Sequence, residues 1–353
     1  MTVLNDSSLL QRLTDTLAPI NSVRAVVLGG SRARGIANER SDYDIGLYYE
    51  PSTPLDIDAL RAAVASLDDR GTLAEITGIG GWGPWINGGG WLTIAGMRVD
   101  LLYRDLLRVR AVVDECRAGQ VGCYYQPGHP HGFVTAIYAG EVAVCAPLAD
   151  PHGDIAKLKA LTTPYPNALR EALTQKFIWE AQFALDNARH GRASDDVNFV
   201  NGCCFRAIAS LCQVLCAANG EYLLNEKGAV ALCERLKRHP ADFAGRVETI
   251  YRTAGAGLAA PALDVLEASS QRPPSSSKPP ETNHLGRFSA LEVRFPAPIL
   301  SRTSGRQRSV AGVPITGPDQ SRFERTLECL VFLRYPARSS WDSTKSSVCS
   351  IAS

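Results

Sequence analysis

No stretch of this 353-residue chain approaches the roughly twenty consecutive apolar residues of a membrane span. The beginning, "MTVLNDSSLLQRLTDTL", carries acids and has no apolar core of the kind a secretory leader needs, so no export signal is expected. CxxC pairs are missing, although there are ten cysteines. Without them a structural zinc site has little to build on. The thiols therefore read as reduced, in a cytoplasmic protein. Cys123, His129 and His131 could meet in a loop, but they make a thin ligand set. Net charge is nearly missing too, at +1 overall. It is unevenly spread: from residue 271 on there are 12 Lys and Arg against 6 Asp and Glu, which leaves 25 against 30 in residues 1–270. A mildly acidic body argues against a nucleic-acid groove and suits a cationic small molecule.

Apolar spacing divides the chain into three regions. Residues 1–150 mix periods. Leu9, Leu10, Leu13 and Leu17 repeat at helical spacing, "VRAVVLG" and "YDIGLYY" read as strands, and "WLTIAGMRVDLLYRD" reads as a hairpin turning at Ala95-Gly96. Residues 154–268 are long helical patterns, a bundle of four or five members with a stop expected at Gly191. Cys203, Cys204, Cys212 and Cys216 fall within one of these helices and read as its core. Residues 269–353 are rich in Ser, Pro and Arg with no sustained period, the composition of a disordered tail.

The chemistry concentrates in "VVLGGSRARGIANERSDYDIGLYYE". Side chains two apart on a strand share a face, so Asp42 and Asp44 point the same way. Two such carboxylates repel, and each raises the other's pKa unless a divalent cation lies between them. Just before them, Gly29 and Gly30 allow close backbone approach to a ligand, Ser31 adds a hydroxyl, and Arg32 and Arg34 add positive charge. Asp100 is a third acid, set in the apolar strand "MRVDLLY". A lone strand acid is more often a cap or an ion pair. The ordered set of turn, acid pair and third acid points instead to a site for a metal-bound triphosphate.

These residues resemble the nucleotidyltransferase superfamily of DNA polymerase β, whose pattern is hG[GS]S, about ten residues, then DxD on a strand. Residues 32–41 separate Ser31 from Asp42 here. The resemblance implies an α/β (α+β) nucleotidyltransferase domain with a small mixed sheet. The all-α bundle after it is similar to small-molecule and antibiotic nucleotidyltransferases, and "NGEYLLNEKG" looks like part of their helical domain. The implied activity is transfer of a nucleoside monophosphate, AMP from ATP as first choice, with pyrophosphate leaving (EC 2.7.7 type). Carried over, Asp42, Asp44 and Asp100 are catalytic and hold Mg²⁺, with two ions expected. Gly29, Gly30, Ser31, Arg34 and Lys227 hold ATP or another nucleoside triphosphate. The expected partners are that nucleotide and a small hydroxylated acceptor such as an aminoglycoside. An antitoxin-like enzyme acting on a protein or RNA, and a regulatory nucleotide-binding protein without turnover, stay open as alternatives.

Other features are weaker. Gly78, Gly80 and Gly83 have dinucleotide-fingerprint spacing, but Pro84 and Trp85 stand where a helix should start. Trp82, Trp85 and Trp91 could stack on a base or sugar. Glu75 and Glu180 are further candidate bases, Glu180 reading more simply as a surface residue.

Overall fold

The computed structural model describes residues 6–192 and 196–255, all within one compact unit, Met1–Ser270. The expected tail, residues 269–353, lies outside the described residues. The chain order is α1 (Asp6–Leu17), β1 (Ala25–Leu28), α2 (Gly30–Ala33), β2 (Tyr43–Tyr49), α3 (Ile57–Val64), β3 (Glu75–Ile76), β4 (Gly89–Ile94), β5 (Met97–Asp105), α4 (Leu106–Arg117), β6 (Cys123–Tyr124), β7 (Phe133–Val134), α5 (Ala136–Val144), β8 (Ala146–Ala149), α6 (Asp154–Thr162), α7 (Asn167–Arg192), α8 (Val197–Asn219), α9 (Ala229–Glu234) and α10 (Phe243–Gly255).

The small mixed sheet is present, with six strands in the order β3-β4-β5-β2-β1-β8. Its central pair, β2 and β5, is parallel, and the other pairs are antiparallel. β4 and β5 form the expected hairpin, in which Ala95 (φ 51°) and Gly96 (φ 78°) take the left-handed turn that matches strand twist. Alternation sorts the two faces. Tyr43, Ile45, Leu47 and Tyr49 of β2, and Val99, Leu101 and Tyr103 of β5, join one core with Leu9, Leu13 and Leu17 of α1 and Leu60 and Val64 of α3. The residues between them, including Asp44 and Asp100, therefore face the other way. Farther along that second face, Arg104 reaches α5, where its Nε and Nη2 each donate to the Glu141 carboxylate at 2.7 Å.

The helical region has its own core, built from α7, α8, α9 and α10. Cys204, Cys212 and Cys216 of α8 are buried in it, as their helical spacing predicts. By length and composition α8 could span a membrane, yet most of that stretch is buried inside the protein. α7 ends at Arg192, one residue past Gly191, where a stop was expected. A Cβ there would crowd the Phe199 ring at 2.6 Å, so the glycine serves the close approach of α7 and α8.

Candidate active site

Just past the end of β1, the Gly29 N–H donates to the Asp44 carbonyl at 2.7 Å. Gly30 then starts α2 with φ +59°, a conformation in which a side chain is strained. A Cβ at Gly30 would run into the Asp44 carboxylate. The glycine pair thus lets the turn close directly over that acid. Ser31 follows within α2, half-buried.

Strand register lines up a row on the open sheet face. Asp44 of β2 lies opposite Asp100 of β5, Asp100 opposite Trp91 of β4, and Trp91 opposite Glu75 of β3. Directly opposed residues share a face, with Cβ atoms roughly 5 Å apart. Asp44 is pushed up to about 6, first by burial and then by the negative charges of Asp100, Asp42 and Glu141. Asp100 is raised too, by burial and then by Asp42. Lys227 opposes the rise at both, joined at Asp100 by Arg98.

Asp42 stands just before β2. Its Oδ1 is closed off from solvent and accepts no hydrogen bond, although Arg98 Nη2 lies 2.5 Å away. The contact is an ion pair with poor hydrogen-bond alignment. A cavity of about 910 Å³ opens on this side, lined by residues including Arg32, Asn38, Asp42 and Arg98 but not by Asp44 or Asp100. Among the described residues, no three acid, histidine or cysteine side chains are gathered closely enough to hold a metal ion. Asp44 and Asp100 nonetheless fit one by their chemistry. They are hard oxygen donors, side by side, desolvated and in need of positive charge. Asp42 would join them by exchanging Arg98 for the ion.

The two arginines of the turn are taken up by the protein. Arg32 stacks on the Tyr43 ring (3.7 Å) and pairs with Asp6 (2.8 Å). Arg34 donates to Glu221 Oε1 at 3.0 Å and to the Tyr222 carbonyl. The structure therefore turns Arg34 toward the segment after α8, where sequence reasoning had it holding phosphate. Lys227 is exposed in that same segment, ahead of α9 and not inside it. Its neighbour Glu226 is taken up by the loop between β6 and β7, accepting from His131 N (2.9 Å) and Gly132 N (3.3 Å) and meeting His129 Nδ1 at 3.1 Å. His131 Nε2 lies 3.1 Å from Glu180 Oε1, and Arg206 Nη2 lies 2.7 Å from the same oxygen. Cys123, His129 and His131 thus make no metal centre, and Glu180 is buried in an ion-paired network instead of lying on the surface.

Opposite, the glycine-rich loop 77–88 is pinned by Gln126. Gln126 Oε1 accepts from Trp85 N (2.9 Å) and Ile86 N (3.1 Å), while Nε2 donates to the Trp82 carbonyl (2.6 Å). The three tryptophans divide. Trp85 packs on Tyr124 and Phe133, whereas Trp82 stacks on Trp91 with centroids 4.7 Å apart. Trp91 remains 50% exposed beside Asp100. Sequence reasoning passed over Glu141, Gln126 and Glu226. Glu141 sits in the apolar run "YAGEVAV", so the test that marked Asp100, an acid among apolar neighbours, would have marked it.

Residues 10–116 match the family model described as "Nucleotidyltransferase domain", a span that contains each of these positions from Gly29 to Asp100. Among solved structures, the chain is similar to a nucleotidyltransferase-like protein from Exiguobacterium sibiricum 255-15, at 10% identity over 74% of this chain and 76% of that one. Its TM-score of 0.36 is too low to carry an argument. No curated protein matches.

Proposed function

We propose, on the premise that residues 10–116 form a nucleotidyltransferase domain, that the protein transfers AMP from ATP to a hydroxyl of a small, aminated acceptor of the aminoglycoside kind. The observation that carries this reading is the pair Asp44 and Asp100, side by side with Asp44 under the Gly29-Gly30 turn, and with no cationic side chain among the described residues bonded to either. Structural carboxylates acquire donors, whereas these two are left with raised pKa values, as groups awaiting an external charge are.

Asp44 and Asp100 would hold Mg²⁺, with Asp42 joining after release from Arg98. The bound ion supplies charge neutralisation for the triphosphate and the attacking oxygen. The Gly30 backbone and the Ser31 hydroxyl would donate to the β- and γ-phosphates, and Lys227 would add a point charge. Asp100, its basicity raised by burial, takes the proton of the acceptor hydroxyl. The new bond joins that oxygen to the α-phosphorus, the bond to the β-phosphate oxygen breaks, and pyrophosphate leaves. Rate then depends on alignment and on fixed charge. Trp91 offers a flat face next to Asp100 for a sugar ring, and Glu75, exposed at the end of the row and 3.5 Å from Arg70, an anionic contact that an amine would share with that arginine.

The test is incubation with Mg²⁺ and α-labelled ATP, in the presence of aminoglycosides and of cell extract, beside Asp44→Asn. Label on an aminoglycoside from wild type and not from the variant is the expected result. Label on a protein or RNA of the extract instead would move the acceptor to a macromolecule. No label anywhere, with nucleotide bound, would leave a regulatory protein.

A further inference from the structure

Between α8 and α9 the chain runs from Glu221 to Gly228 without regular hydrogen bonding. Its first half is well held. Glu221 and the Tyr222 carbonyl receive Arg34, the Tyr222 hydroxyl donates to the Thr162 carbonyl at 2.9 Å, and Leu223 is buried. Asn225, Lys227 and Gly228 are exposed. Irregular backbone with exposed residues opens readily unless something ties it down. Within 225–228, Glu226 supplies the tie to another part of the protein. Its carboxylate reaches the 129–132 loop through two backbone N–H groups and the buried His129 ring. These contacts also satisfy the negative charge of Glu226, so it does not mask the ammonium next to it. Arg34, at the end of the glycine turn, holds the start of the same segment. The connection between β6 and β7 also fixes the tryptophan-bearing loop, through Gln126.

We propose that Glu226 is a positioning residue, a latch that binds the 225–228 segment to the 129–132 loop so that Lys227 bears on the triphosphate. This rests on the nucleotidyltransferase reading above, and it adds a residue that touches neither nucleotide nor acceptor. A freed segment would swing its lysine into solvent, and a phosphate contact of about 1.5–3 kcal/mol, tenfold or more in affinity, would go with it.

The probe is inorganic tripolyphosphate with Mg²⁺, which has no base or sugar, titrated calorimetrically into the full chain. Glu226→Ala is expected to weaken binding about tenfold, as Lys227→Ala does, and to weaken it no further in the Lys227→Ala background. Glu226→Gln, whose carbonyl oxygen can still take the two backbone N–H groups, is expected to keep most of the affinity. Should Glu226→Ala not fold, His129→Gln loosens the tie from the loop side and is read in the same way. Unchanged affinity in a folded Glu226→Ala protein, or an equal loss with and without Lys227, overturns the latch and leaves the nucleotidyltransferase reading standing. A wild-type protein that binds no tripolyphosphate overturns both.

Discussion

Glu180 and Glu226, in the helical region, sit among donors, whereas Asp44 and Asp100, on the sheet face, sit among other acids. A hydrogen bond from His131 holds Glu180 below the usual carboxylate range, and Arg206 adds to it. Burial pushes Glu226 up, but His129 and backbone N–H groups outweigh it and the net shift is downward. At Asp44 burial and neighbouring charge act in the same direction, and the group rises to about 6. All four acids are partly or wholly removed from solvent. The difference lies in whether the fold supplies the compensating charge. On the helical side it does, and the acids lock segments together. On the sheet face the charge of Lys227 and Arg98 is outweighed, and the acids stay costly until more positive charge arrives from outside.

The sharpest way to break that contrast is to remove a sheet-face charge. Asp44→Asn and Asp100→Asn are each expected to cut the rate of pyrophosphate release by about 100- to 1,000-fold, the scale for losing a preorganised electrostatic contact. The same Asp44→Asn change should stabilise the fold. A carboxyl whose folded pKa is raised binds its proton more tightly when folded, so stability falls as pH climbs from about 4 to about 6 and the cost persists above. Relieving it adds up to about 3 kcal/mol at pH 7.5, readable by urea unfolding. Glu180→Gln should move the other way and lose about 1–3 kcal/mol, because His131 and Arg206 lose an ionised partner. The pH dependence of Glu180 also has the opposite sign. Its folded pKa is lowered, so its contribution is present above about 4.5 and lost as the pH falls below. A smaller effect is expected at the acceptor wall: Trp91→Ala should raise the acceptor KM about tenfold and leave the ATP KM unchanged. Smallest is Arg98→Ala, which frees Asp42. The guanidinium is 67% exposed, so the pair is weak, and Mg²⁺-nucleotide affinity should rise about two- to threefold.

How much of this the sequence discloses depends on the range of the interaction. The glycine turn, the two acids of "DYD" and the third acid were legible because strand alternation and steric limits at glycine act between near neighbours. The β4–β5 hairpin was legible for the same reason. The partner of Arg34 was not. Nothing within ten residues of Arg34 shows that its guanidinium will be claimed by Glu221 and the Tyr222 carbonyl, brought near by the packing of the helical region. Glu180 was misplaced on the surface because its spacing between Trp179 and Ala181 does not reveal His131, which arrives from a distant loop. Gly191 was legible as a helix end to within one residue, but its second role, the close approach of Phe199, was not, because Phe199 lies on another helix.

The central claim is that Asp44 and Asp100 wait for a cation brought with a nucleotide. Mn²⁺ binding, followed by electron paramagnetic resonance with and without the α,β-methylene analogue of ATP, tests it most directly. Wild type should bind Mn²⁺ tightly only when the analogue is present, and Asp44→Asn should lose that binding. Mn²⁺ bound equally well by wild type and Asp44→Asn, or by neither, would contradict the account.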